Sequence, residues 1–136
     1  MMTIEKLENY SVISSDIEAI ETQIRSMYKP ISSPNGRTDA GGSSTPSNPT
    51  ERTAFRIDQL RGLLESQRQE LYALVEEIEQ WLTTVQDTEI VSIIRWHYLL
   101  RLNWKQTNLK VFGYPSYDYS RKKIIRYFER LSELSE

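Results

Sequence analysis

The sequence predicts an all-α protein: long helices forming a coiled-coil, oligomerising part, then a C-terminal three-helix unit that ends in helix, turn, helix. Three observations predict it. Apolar residues recur at spacings of three and four through two long stretches, the period of a single helical seam. A segment rich in Pro, Gly and Ser separates those stretches. Near the end, a Gly-x-Pro-Ser turn divides two short amphipathic segments.

The first element spans 1–28. Tyr10, Ile13, Ile17, Ile20, Ile24 and Met27 repeat at alternating spacings of three and four, and Ile4 and Leu7 extend the apolar face with a slight drift in phase. Ser14-Ser15-Asp16 could start a new helix, so one bent helix and two shorter ones both fit. Residues 29–50, "KPISSPNGRTDAGGSSTPSNPT", hold all but one of the five prolines and no apolar periodicity. Such a composition cannot offset its ordering entropy by burial, which predicts a flexible linker.

The long helix is expected over 51–86, capped by Thr50 or Thr53. Leu60, Leu64, Gln67, Leu71, Leu74, Ile78, Trp81 and Val85 follow one another without a slip. At about 1.5 Å per residue this is a rod on the order of 50 Å, which needs a helical partner. The partner is the N-terminal helix, a second copy of the chain, or both. Ile13, Ile17, Ile20, Ile24, Leu60, Leu64, Leu71, Leu74 and Ile78 are therefore the expected oligomerisation residues. Gln67 either sets register within the seam or lies at its solvent edge.

The module is expected over 87–136. Asp87 can cap a helix through "TEIVSIIRWHYLL", whose Ile90, Ile93, Ile94 and Tyr98 share a face. After the polar break at 101–103 comes a short helix from Trp104 to Phe112. Gly113 suits its C-terminus, Pro115 blocks continuation, and Ser116 is a good cap for a last helix running to about Leu134.

Charge divides along the same boundary. Formal net charge is −2. From residue 95 onward nine Lys/Arg face four acids, a net +5, whereas residues 1–94 carry eight against fifteen, a net −7. A basic module on an acidic body points to an anionic partner. Cysteine is absent, which excludes disulfide and thiolate chemistry and makes the cytoplasm the expected compartment. No apolar run approaches the roughly 20 residues of a membrane span, and the N-terminus does not read as a signal peptide, so no membrane partner is expected.

Catalytic chemistry is not indicated. His97, the one histidine, sits between Trp96 and Tyr98 and reads as a packing or surface residue. Glu76, Glu77 and Glu79 point different ways on a helix and read as a solvated face. "AGGSS" lacks the strand and the Lys-Ser/Thr of a phosphate-binding loop. No catalytic, metal or cofactor site is expected.

The last helix carries the candidate interface. At about 100° per residue, Tyr117, Ser120, Tyr127, Phe128 and Leu131 lie within about 60° of Ile124 and form the expected core face. Asp118, Tyr119, Lys122, Arg126 and Glu129 lie opposite, with Arg121 and Lys123 on the flanks. Arg and Lys there can pair with phosphates, and Asp, Tyr and Lys near the helix start can reach base edges. Ser116, Asp118, Tyr119, Arg121, Lys122, Lys123 and Arg126 are the expected DNA-binding residues.

The stretch "RWHYLLRLNWKQTNLKVFGYPSYDYSRKKIIRYFERL" resembles the fourth region of sigma-70-type factors, and the whole architecture resembles phage late-gene regulators of the RinA/ArpU type. Trp104 matches the aromatic that opens the first motif helix, Gly113 the turn glycine, Ser116 the cap, and Ile124 and Leu131 the buried positions of the recognition helix. The chain departs from the pattern in one extra residue between Trp104 and Gly113, and in Thr107-Asn108 where Ile-Ala is common. The resemblance implies a helix-turn-helix activator of phage late genes that binds double-stranded promoter DNA as a homo-oligomer, a dimer or higher. Host RNA polymerase is a further candidate partner. Two rival readings remain at this stage: a small terminase subunit that packages phage DNA, and a helical adaptor that binds only protein.

Overall fold

The structure, a computed structural model, describes residues 1–28 and 51–134; the expected linker lies outside the described residues. Among the described residues all regular structure is helical. Helix α1 is Ile4–Tyr28, α2 is Glu51–Leu82, α3 is Thr88–Ile93 and continues as a π-helical turn over Ile94–Leu99, α4 is Trp104–Phe112, and α5 is Tyr119–Leu134. Helix α1 runs unbroken through Ser14-Ser15-Asp16, so the single-helix alternative holds. Thr53 lies inside the first turn of α2 rather than at its cap, and Thr50 is outside the described residues.

The chain divides into two compact units, Met1–Ile13 with Leu71–Glu136, and Ser14–Glu70. The second is a helical hairpin. Glu21 pairs with Arg68 at 2.8 Å, and Arg61 donates to the Tyr28 hydroxyl at 2.6 Å with its guanidinium 5.6 Å from the ring centre. As α1 advances from 21 to 28, α2 retreats from 68 to 61, so the two segments are antiparallel. Ile17, Ile20, Ile57, Leu60 and Leu64 are buried between them.

This burial bears on the expected oligomerisation residues. Ile13, Ile17, Ile20, Leu60, Leu64 and Ile78 are buried within a single chain, and Ile24, Leu71 and Leu74 are half-buried. Of the two partners expected for the seam, the N-terminal helix is therefore paired with part of it within one chain, through Ile17, Ile20, Leu60 and Leu64. Gln67 is half-buried, at the seam's edge. Ile57, three residues before Leu60, belongs to the same seam and was not included in the expected set.

The first unit is built on one core of Met2, Leu7, Ile78, Leu82, Ile90, Ile93, Ile94, Tyr98, Ile124 and Phe128. It draws in the start of α1 and the end of α2, beyond the expected 87–136 boundary. Trp81 stacks on Phe128 with ring centres 5.5 Å apart and meets Tyr127 edge-on at 6.3 Å, anchoring α5 on α2. Lys6 pairs with Glu77 at 2.6 Å. Arg95 binds both carboxylate oxygens of Glu79, at 2.8 and 3.0 Å, and its guanidinium hydrogen bonds hold the Glu79 carboxyl below its ordinary pKa.

Candidate nucleic-acid interface

The side chains that could meet a nucleic acid lie on α5, so the way α5 is held comes first. Asp87 caps α3 as expected, its carboxylate accepting from Glu89 N and Ile90 N. The following π-helical turn ends at Leu99, and two residues on Arg101 adopts a left-handed φ of 64°. The chain then enters α4 through a capping box: Asn103 Oδ1 accepts from Gln106 N at 2.8 Å, and Gln106 Oε1 accepts from Asn103 N at 3.1 Å. The Asn-x-x-Gln spacing carried that signal in the sequence, where 101–103 read only as a polar break. Trp104, the first residue of α4, stacks on His97 with ring centres 3.5 Å apart. Burial pulls the His97 pKa below its ordinary value, opposed by a hydrogen bond with the Leu102 backbone. His97 is a packing residue.

Helix α4 ends at Gly113, whose φ of 88° places it in the left-handed region and whose N–H donates to Leu109 O at 3.0 Å. Space for a Cβ is open there, so glycine is favoured by backbone conformation alone. The departure from the sigma-like pattern now has a structural role. Asn108 is fully buried, its Nδ2 donates to Tyr114 O at 2.8 Å, and its Oδ1 accepts from Ser120 Oγ at 2.5 Å. One side chain thereby ties the end of α4, the turn and the start of α5. Its neighbour Thr107 is equally buried, and its hydroxyl has no hydrogen-bond partner among the described residues.

Helix α5 begins at Tyr119, two residues later than a cap at Ser116 predicts. Ser116 Oγ accepts from Asp118 N at 3.3 Å and Tyr119 N at 3.2 Å, so it caps the approach to the helix and its hydroxyl is engaged there. The late start overturns one expectation. Tyr117 precedes the helix, so the helical phase that assigned it to the core does not apply, and it is 63% exposed. Lys105 Nζ lies 5.7 Å over its ring. The rest of the core face stands: Ser120, Ile124 and Phe128 are buried, and Tyr127 and Leu131 are half-buried.

Apart from Ser116, the expected DNA-binding residues separate into three groups. Lys123 is drawn toward the start of α3, with Nζ 3.2 Å from Glu89 Oε1 and 3.9 Å from Asp87 Oδ2, and its side chain is only 28% exposed. It is better placed to fasten α5 to α3 than to meet a ligand. Asp118 and Arg121 are exposed beside each other, 3.9 Å apart. Tyr119, Lys122 and Arg126 share the remaining outward face, and Arg130, absent from the expected set, continues it. These three and Arg130, with Lys123 at the edge, line one shallow cleft. Among the described residues none of Lys122, Arg126 and Arg130 is held in an ion pair. The Tyr119 ring is braced edge-on by Phe112, 4.9 Å away, and by Tyr114 at 6.4 Å, while remaining 48% exposed.

Among the described residues no group of three or more His, Asp or Glu could hold a metal ion, and no helix is long and apolar enough to cross a membrane. The chain matches no protein-family model, no curated protein and no solved structure.

Proposed function

We propose that the protein is a sequence-specific regulator of transcription that binds double-stranded DNA through α5, as a phage late-gene activator of the RinA/ArpU type. The observation that carries this reading is the outward face of α5, where Lys122, Arg126 and Arg130 are exposed and, among the described residues, outside any ion pair, on a helix whose start is held by buried polar contacts. A rigidly presented helix can lie in the major groove, its cations neutralising phosphates and Tyr119, its first residue, near base edges. The protein works in the bacterial cytoplasm as a dimer or higher oligomer, with no enzymatic activity, and host RNA polymerase is a candidate second partner. Selection of bound duplexes from a random pool, with light scattering on the complex, tests the reading. Enrichment of one motif, repeated at about one helical turn, supports it. Recovery of a random pool overturns sequence specificity, and a large closed ring without a preferred motif favours DNA packaging instead.

A further inference from the structure

Two ways of presenting α5 to a duplex are open. Its tip can lead, with Ser116, Asp118 and Arg121 in front, or one long edge can lie against a strand. The geometry points to the second: we infer that Lys122, Arg126 and Arg130 engage successive phosphates of one DNA strand, with Tyr119 the base-contacting side chain at the N-terminal end of that row. The inference rests on the DNA-binding reading and adds to it an orientation, a strand and one residue, Arg130.

Three observations converge. At the tip, the Ser116 hydroxyl is engaged by two backbone N–H groups, and Arg121 lies beside the carboxylate of Asp118 at 3.9 Å. An anion approaching there meets a neutralised pair. Along the edge, Lys122, Arg126 and Arg130 stand four residues apart, so each follows the last by about 6 Å along the axis and about 40° around it. All three are exposed, and the cleft they line with Tyr119 and Lys123 contains no carboxylate. A ladder of this pitch suits a single phosphate strand, whose charges rise by about 3.4 Å each along the duplex axis and are carried further apart by its winding.

Tyr119 is the member of the face suited to reading rather than neutralising. Phe112 and Tyr114 restrict its ring. Its phenol, one donor and one acceptor, is thereby aimed by packing instead of being free to sample.

The test is the salt dependence of duplex binding by the full-length protein, using a duplex recovered by selection or, failing one, a random duplex of fixed length. Each lost phosphate contact flattens the plot of log affinity against log salt by about 0.9. R130A is expected to lose about that much slope, R130K to keep the parental slope, and R121A to leave it unchanged. Y119F is expected to keep the slope while relaxing the selected motif at one position. Arg130 is exposed and, among the described residues, outside any ion pair, so circular dichroism of R130A should match the parent. An unchanged slope in R130A beside a flattened one in R121A overturns the lengthwise orientation and leaves DNA binding standing. Absence of duplex binding by the parent, including preference for RNA or for protein alone, overturns both.

Discussion

Ser120→Ala removes one hydroxyl that touches no solvent and is predicted to weaken the whole interface. In the native chain the hydroxyl donates to Asn108 Oδ1 at 2.5 Å, and the Asn108 amide donates onward to Tyr114 O at 2.8 Å. Both side chains are fully buried. Deleting the hydroxyl leaves a buried carbonyl oxygen without a donor, which costs about 1–3 kcal/mol. Asn108→Ala costs more, because it orphans the Ser120 hydroxyl and opens a cavity, and about 2–4 kcal/mol is expected. Once Asn108 is gone the serine hydroxyl has nothing to bond, so its removal should then be nearly neutral. The double variant should therefore fall short of the sum of the singles by about 1–2 kcal/mol. For a domain of this size each kcal/mol shifts Tm by roughly 3–5 °C, so thermal unfolding followed by circular dichroism resolves the cycle. Additive losses, or a Ser120→Ala variant as stable as the parent, would refute the role given to this contact. DNA affinity measured on the same variants well below their Tm should fall although neither residue reaches the surface, because the angle of α5 is no longer fixed.

Three other perturbations follow from particular residues. Thr107→Val replaces a buried hydroxyl that has no partner by a methyl group, and should leave stability unchanged or raise it by about 1 kcal/mol, whereas a clear loss in Tm would mean the hydroxyl is bonded. The His97 pKa is depressed, so the unfolded chain takes up its proton first as pH falls: stability from this group is complete above about 6.5 and is lost as pH drops toward the lower, folded value. With one imidazole in the chain, an NMR titration reads it directly, and a midpoint at or above about 6.5 would contradict its burial. Ile20→Asp places an unpaired charge between α1 and α2 and should melt the hairpin, seen as lost helicity and a loss of several kcal/mol. A fully helical variant that merely dissociates would return the seam to the interface between copies.

The helices were legible because each rests on a local signal: spacings of three and four through α1 and α2, Asp87 before α3, Gly113 after α4. The pairing of α1 with α2 was not, since a heptad seam has the same pattern whether its partner is the same chain or another. The burial of Tyr117 was misjudged because a helical wheel carries its phase past the point where the helix begins, and Ser116 and Asp118 delay that point. Lys123 looked like any other cation of α5, and only the fold brings Glu89 within 3.2 Å of it. Thr107-Asn108 stood out in the sequence as a departure from an apolar pair. That Asn108 holds the turn together depends on Tyr114 and Ser120 folding back onto it, a contact no spacing rule announces.

DNA binding by the outward face of α5 is tested most directly by the affinity of the parent and of Lys122→Ala/Arg126→Ala for a fluorescent duplex at about 50 mM and about 200 mM salt. The parent should bind at the lower salt and weaken steeply at the higher, while the double variant, with unchanged helicity and oligomer size, should not bind. Equal binding by parent and variant would place the interface elsewhere, and no binding by the parent at the lower salt would contradict DNA recognition altogether.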